Sequence, residues 1–277
     1  MINMEEFDMA DSIRIETVTT KSFSMNYFKF GHGERTLVMI PGLSVQSVMG
    51  LADIVVSAYE SMTNDFTIYL FDRRTDIPNI YETDDMARDT AEAIKALGLG
   101  PVDLFGASQG GMISMKIAVD CPELVNKLVL ASTSAKIEER EYDKLLEWID
   151  LAVEGDAEAL YLSFGESVYP QEVFEQSRQL LIDAAKTVTQ EDLDRFIIFV
   201  EGMRDYDVRT KLKNITCPVL LTGSYDDKVL GPDATAFIAA CLEDNPGFTL
   251  HMYDGYGHAA YDTAPDFKDR MMSFLLT

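Results

Sequence analysis

Positively charged side chains are scarce in this sequence. Of its 277 residues, 23 are Lys or Arg and 47 are Asp or Glu, which gives a formal net charge of −24. A field of this sign repels the phosphates of nucleic acids and of anionic membranes, so we expect neither as a partner. It mildly favours neutral or cationic small molecules over anionic ones. A solvated acidic surface is the simpler interpretation of the charge itself.

Long apolar runs and a basic leader are also missing. No run reaches the roughly 18 apolar residues that a membrane-spanning helix needs. The first residues, MINMEEFDMADS, lack the basic start and apolar centre of a signal peptide. The three cysteines, at 121, 217 and 241, show no CxxC spacing. We therefore expect buried free thiols, no disulfide framework and no metal centre, and these features favour the cytoplasm.

What the sequence does contain is a regular alternation of apolar and helical segments. Short apolar runs are separated by stretches with helical spacing, for example 83–98, where Thr83 is a candidate N-cap and Gly98 a candidate stop. Such an alternation predicts a mostly parallel sheet with helices on both faces. The predicted strands are 36–40, 66–72, 102–107, 127–132, 218–223 and 248–255, after two alternating segments near the N-terminus.

One long segment interrupts the alternation. Residues 134–213 are helical in pattern, acidic and rich in aromatic side chains. We therefore predict a core domain formed by residues 1–133 and 214–277, with residues 134–213 inserted as a helical cap.

The stretch DLFGASQGGM carries the strongest catalytic signal. Gly106-Ala107-Ser108-Gln109-Gly110 matches G-x-S-x-G between a predicted strand and a predicted helix. In that context the pattern is typical of a nucleophile elbow, a strained turn that projects a serine hydroxyl above the sheet. An ordinary glycine-rich turn is the alternative interpretation.

A serine hydroxyl needs a base, and the chain offers three histidines. His258 is the best placed, because it follows the last predicted strand in a glycine-containing loop. His251 falls inside that strand, and His32 lies in an early turn. A carboxylate must orient the base. Asp226 and Asp227 both lie in the loop after strand 218–223, and either fits the chain order Ser, Asp, His.

An acyl-transfer site also needs donors for a developing oxyanion. The backbone N–H of Gln109, next to the serine, is one candidate. The second is the N–H of Leu43 in the Pro41-Gly42-Leu43 segment, where Gly42 would let the backbone approach the site. A simple Pro-Gly turn at the end of a strand is the other interpretation of that segment.

Together these residues resemble the α/β-hydrolase fold family, specifically its single-domain members with a helical cap, over nearly the whole chain. The family's Gly-x-x-Asp spacing selects Asp226 over Asp227. Pro41-Gly42 stands where the family has His-Gly, and after Asp72-x-Arg74 the family's Gly-x-Gly is absent. The shared motifs are Gly106-x-Ser108-x-Gly110-Gly111, Gly223-x-x-Asp226 and Gly257-His258.

The resemblance implies a serine hydrolase that uses no cofactor and no metal. Ser108 would attack a small, largely apolar acyl substrate, with a carboxylic ester as the leading candidate. A C–C bond hydrolase, an amidase or thioesterase and a perhydrolase remain open on the same residues, as does a homo-oligomeric state. A dehalogenase or epoxide hydrolase is disfavoured, because such members carry an aspartate at the nucleophile position. The alternative from another class is a non-catalytic small-molecule receptor or scaffold.

Overall fold

A computed structural model describes residues 13–277. The expectation of an N-terminus without a signal peptide concerns residues 1–12, which lie outside this range. Within it, one sheet has the strand order β1-β2-β4-β3-β5-β6-β7-β8. The strands are β1 Ile15–Thr19, β2 Ser24–Phe30, β3 Arg35–Ile40, β4 Phe66–Arg74, β5 Val102–Ala107, β6 Val125–Ala131, β7 Val219–Ser224 and β8 Phe248–Tyr253.

The sheet is mostly parallel, as the sequence predicts. Strand β2 pairs in antiparallel fashion with β1 and β4, and every pairing from β4 to β8 is parallel. The helices are α1 Ala52–Ala58, α2 Thr83–Ala96, α3 Gln109–Asp120, α4 Glu139–Glu154, α5 Ala157–Val168, α6 Gln171–Ala185, α7 Gln190–Glu201, α8 Pro232–Leu242, α9 Ala260–Thr263 and α10 Phe267–Leu276.

Apolar side chains cover both faces of the sheet. Successive residues of a strand point to opposite faces, so Leu104 and Phe105 of β5 enter different clusters. Leu104 shares its cluster with Met112 of α3, whereas Phe105 packs against Phe267 of α10 with ring centroids 5.6 Å apart. Burial on both faces explains why these strands read as continuous apolar runs.

Four α-helices, α4 to α7, lie between β6 and β7. We call residues 134–213 the helical insertion. Its aromatic side chains form its interior: Trp148 is 1% exposed, and its ring centroid lies 4.7 Å from that of Phe164. The division into two domains stays a prediction, although all four helices fall within the predicted boundaries.

Two local expectations are wrong. The apolar residues over 45–62 have helical spacing and predict one helix, but the structure has a 3-10 turn on either side of α1, and Ser47 caps the first turn by accepting from Met49 N. Thr83 is not the N-cap of α2, because Glu82 precedes the helix and the Thr83 hydroxyl donates instead to the Gly202 carbonyl at 2.9 Å. The Thr83 hydroxyl thus bonds to a residue distant in sequence instead of capping its own helix.

The three cysteines are free, as expected, but each is only partly buried. Within residues 13–277, no helix combines the length and the apolar character needed to cross a membrane.

Candidate active site

Ser108 occupies the turn that G-x-S-x-G predicts. It lies between β5 and α3 with φ 51° and ψ −121°, a conformation that non-glycine residues rarely adopt. Its backbone is held firmly: Ser108 N donates to Ala131 O at 2.9 Å, and the Thr133 hydroxyl donates to Ser108 O at 2.7 Å. Backbone N–H groups of Gly111 and Met112 donate to the same carbonyl. Neighbouring strand and helix thus fix the strained turn.

The segment that follows β3 lies directly against this turn. A side chain at Gly42 would place its Cβ 3.2 Å from Ser108 Cβ and 3.8 Å from Ser108 Oγ, so it would crowd the serine. A side chain at Gly110 would meet Ile40 O at 2.0 Å. The predicted oxyanion donors, the N–H groups of Leu43 and Gln109, therefore belong to two segments packed against each other beside the serine.

His258 is paired with Asp227. His258 Nδ1 lies 2.9 Å from Asp227 Oδ2, and the two side chains are 3% and 2% exposed. The other oxygen of Asp227 accepts from Val229 N at 2.8 Å and Leu230 N at 3.0 Å. Nδ1 is engaged, so the ring presents Nε2 for other contacts. Residues 13–277 form no hydrogen bond between Ser108 and His258, and the pairing of these two residues belongs to the function proposed below.

The assignment of Asp226 as the partner of His258 is therefore wrong. Strand β7 continues through Ser224, one residue beyond its predicted end, and the following turn directs Asp227 to the imidazole. Asp226 instead accepts from the Ser224 hydroxyl, and from Gly255 N at 3.1 Å and Gly257 N at 3.0 Å. Asp226 shapes the loop that carries His258 without touching its ring.

The surroundings of both carboxylates favour their ionised forms. Burial acts to raise the pKa of Asp227, but the charge of His258 and the hydrogen bonds from His258, Leu230 and Val229 outweigh it and lower that pKa. Burial also opposes ionisation of Asp226, whose pKa is lowered by hydrogen bonds from Ser224, Gly257 and Gly255. The buried carboxylate of Asp227 can therefore stabilise a protonated imidazole at His258.

The other two histidines lie elsewhere. His251 is in β8, where its ring packs edge-on against Tyr253, and burial lowers its pKa. His32 lies in the loop between β2 and β3, and its backbone N–H donates to Thr63 O. Of the three, His258 is the one that the structure pairs with a buried carboxylate.

The buried side chain of Arg73, which contacts the residue directly after the serine, was not anticipated from the sequence. Arg73 at the end of β4 is 4% exposed, and its Nη2 donates both to Pro41 O at 2.9 Å and to Gln109 Oε1 at 3.0 Å. The family run pointed to Arg74, which pairs with Asp76 and Asp89 away from these atoms. The sequence around the two arginines does not show which of them is buried. That depends on how β4 is placed in the sheet.

The helical insertion contributes backbone acceptors next to both key residues. Phe199 O near the end of α7 accepts from Gln109 Nε2 at 2.9 Å, and Val168 O at the end of α5 accepts from Ala259 N at 3.0 Å. Helices leave their last carbonyls without internal partners, so these groups are free to accept. Each contact reaches the residue directly after Ser108 or His258.

An ion pair also joins the insertion to the sheet. Arg195 of α7 donates to Asp72 at the end of β4 at 2.5 Å, with side chains 12% and 9% exposed. Asp72 also accepts from Ser47 Oγ and from the N–H of Arg73. The carboxylate is thereby compensated on both oxygens.

With this geometry in place, comparison with known proteins identifies the family. A family model for the α/β hydrolase fold matches residues 63–265, and the chain belongs to that family. Similar solved structures include an α/β hydrolase enzyme from a Medee basin deep-sea metagenome library, with a TM-score of 0.82 and 20% identity over 95% of this chain and 98% of that one. An enol-lactonase from Burkholderia xenovorans LB400 has a TM-score of 0.81 and 14% identity over 95% and 100% of the chains.

The curated relatives have low sequence identity to this chain but align with most of its length. A protein of Agrobacterium fabrum named carbamate hydrolase RutD is 26% identical over 87% of this chain and 93% of its own. The 3-oxoadipate enol-lactonase 2 of Acinetobacter baylyi is 23% identical over 77% and 80%.

Proposed function

We propose that this chain is a serine hydrolase that cleaves a small, largely apolar carboxylic ester without a cofactor. The observation that carries the proposal is the buried contact of 2.9 Å between His258 Nδ1 and Asp227 Oδ2, in a fold that sets Ser108 in a strained elbow. A polar pair so deeply buried is costly to maintain for packing alone. An aspartate on Nδ1 fixes the tautomer that leaves Nε2 as a base.

In the proposed mechanism, His258 Nε2 removes the proton of Ser108 as Oγ attacks the ester carbonyl. The N–H groups of Leu43 and Gln109 stabilise the oxyanion, and Asp227 stabilises the imidazolium. His258 then protonates the leaving alcohol, which departs and leaves an acyl-enzyme. A water molecule, deprotonated by His258, attacks the acyl carbon. The bond from that carbon to Ser108 Oγ then breaks, His258 returns the proton to Oγ, and the acid is released.

The substrate class is supported by the family and by the relatives. Enol-lactonases, by their name, open a cyclic ester, and such a substrate presents a carbonyl to the same residues. A carbamate is the second candidate, since relatives are named for hydrolysis of that bond. The aromatic interior of the insertion, our proposed cap, supports an apolar acyl or alcohol group. The three free cysteines of the chain support a reducing, cytoplasmic location.

The test replaces Ser108 by alanine. We expect turnover of p-nitrophenyl butyrate by Ser108→Ala to fall by a factor on the order of 10⁴ or more, because no other group can form the acyl-enzyme. Ser114→Ala is the matched control, since Ser114 is a buried serine of α3 whose hydroxyl donates to Gly110 O. It should retain most of the activity. Unchanged hydrolysis by Ser108→Ala would refute the nucleophile.

A fluorophosphonate probe separates the hydrolase from a scaffold protein. Covalent labelling that is lost in Ser108→Ala and retained in Ser114→Ala supports an activated serine. An unlabelled, folded wild-type protein supports the scaffold.

A further inference from the structure

Arg73 joins the two segments that would supply the oxyanion donors. One nitrogen of its guanidinium, Nη2, donates to Pro41 O at 2.9 Å and to Gln109 Oε1 at 3.0 Å. Leu43 follows Pro41 by two residues, and Gln109 carries the second proposed donor on its own backbone. A single charged group behind the two segments therefore links them, in addition to the pairing of β3 with β5.

The side chain of Gln109 is held in one orientation. Its Oε1 accepts from Arg73, and its Nε2 donates to Phe199 O at 2.9 Å. Gln109 is completely buried. Since both ends of the amide are engaged, a movement of this side chain would break two buried hydrogen bonds, and these bonds restrain the start of α3 to which it belongs.

The arginine is retained at a physical cost. Burial lowers the pKa of Arg73 to about 10 although Asp72 opposes the shift, and its Nε has no hydrogen-bond partner within residues 13–277. An apolar side chain would fill the same space without the free-energy cost of burying a cation. A buried, incompletely satisfied cation calls for a functional explanation.

We infer that Arg73 is a positioning residue for the oxyanion hole: it sets the N–H groups of Leu43 and Gln109 at the separation that a tetrahedral intermediate requires. This inference rests on the proposed hydrolase function. Arg73 does not touch the substrate. Its contribution therefore arises in the transition state, where the oxyanion develops, and not in ground-state binding.

The test compares Arg73→Met with Arg74→Met. Arg74 is the adjacent arginine on β4, and its partners Asp76 and Asp89 lie outside the site. With p-nitrophenyl butyrate, we expect Arg73→Met to lower kcat by about 10- to 100-fold with KM within about twofold, which is less than the loss of an entire oxyanion donor. Arg74→Met should change kcat by less than about threefold. Arg73→Lys should recover part of the loss, because a lysine can reach one acceptor but lacks the planar guanidinium.

A second variant tests the route through Gln109. Gln109→Met removes the side-chain amide and keeps the backbone N–H. If Arg73 acts through Gln109, the double variant should lose little more than the more impaired single variant. The pH at half-maximal kcat should be unchanged in all of these variants, because the His258–Asp227 pair is intact. A general structural disturbance would instead shift both KM and the pH at half-maximal kcat.

The outcomes are distinguishable. An active Ser108→Ala overturns the proposed function. An inactive Ser108→Ala together with a folded Arg73→Met of unchanged kcat overturns the role of Arg73 alone. Should Arg73→Met fail to fold, a folded Gln109→Met with unchanged kcat overturns it equally.

Discussion

At the scale of single residues, the two adjacent aspartates after β7 perform different tasks. Asp227 contacts the His258 ring, whereas Asp226 accepts hydrogen bonds from the backbone of Gly255 and Gly257. Substituting each in turn separates orientation of the base from the shape of its loop.

We expect Asp227→Asn to lower kcat on the order of 10³- to 10⁴-fold, because an amide at this position favours the wrong imidazole tautomer. Asp226→Asn is the matched control and should lose about tenfold or less, since it removes a loop contact and leaves the Asp227–His258 pair in place. Steady-state hydrolysis of p-nitrophenyl butyrate at pH 8 measures both. Equal losses in the two variants would contradict the assignment.

The lowered pKa of Asp227 also makes stability depend on pH. A carboxyl group whose pKa is lower in the folded chain stabilises the fold above its unfolded value, about 3.9, and loses that contribution as the pH falls through the folded value. The difference in unfolding free energy between wild type and Asp227→Asn should therefore be larger at pH 5 than at pH 3. Urea denaturation at both pH values measures it. A difference that grows on acidification would contradict the pKa direction.

The sequence was sufficient to place Ser108 in its turn and to single out His258, because G-x-S-x-G and a glycine-containing loop after the last strand are local patterns. The choice between Asp226 and Asp227 was not local. It depends on how the turn after β7 directs two adjacent carboxylates, and only the tertiary structure shows that Asp227 reaches the imidazole while Asp226 contacts the backbone of its loop.

At the scale of elements, helix α7 is fastened to the sheet by a buried ion pair. Asp72 at the end of β4 and Arg195 of α7 are far apart in sequence, and no periodicity indicates that they meet. The composition of residues 134–213 predicted helices, and the structure has them, but their attachment points arise only from tertiary packing. The same holds for Thr83, whose hydroxyl is taken by Gly202.

We expect Arg195→Met to lower the unfolding free energy by roughly 3 kcal/mol, toward the low end for a broken buried pair because Asp72 keeps its contacts with Ser47 and Arg73. Asp72→Asn should be at least as destabilising as Arg195→Met, because it also removes the carboxylate that favours the charged form of buried Arg73. Urea denaturation measures both variants. An Asp72→Asn variant clearly more stable than Arg195→Met would contradict this role of the carboxylate.

At the scale of the whole molecule, we expect the net charge of −24 to affect both stability and the choice of substrate. Repulsion among like charges weakens when the Debye length falls from about 30 Å at 0.01 M salt to about 10 Å at 0.1 M. The unfolding free energy should therefore increase over this range.

The same field should discriminate between substrates. For a pair of p-nitrophenyl esters of matched length, one neutral and one with a terminal carboxylate, we expect kcat/KM of the anionic ester to increase with salt relative to the neutral one. Stopped-flow or steady-state assays at the two salt concentrations measure the ratio. A ratio independent of salt would mean that the field does not reach the site.

The carbonyls of Val168 and Phe199 limit the design of chimaeras in which the insertion is replaced by that of another family member. A transplanted segment must end two of its helices so that one unpaired oxygen meets Ala259 and another meets Gln109. On the function proposed above, chimaeras that keep these two contacts should hydrolyse a different range of esters with little loss of kcat, whereas grafts chosen for pocket shape alone should lose activity.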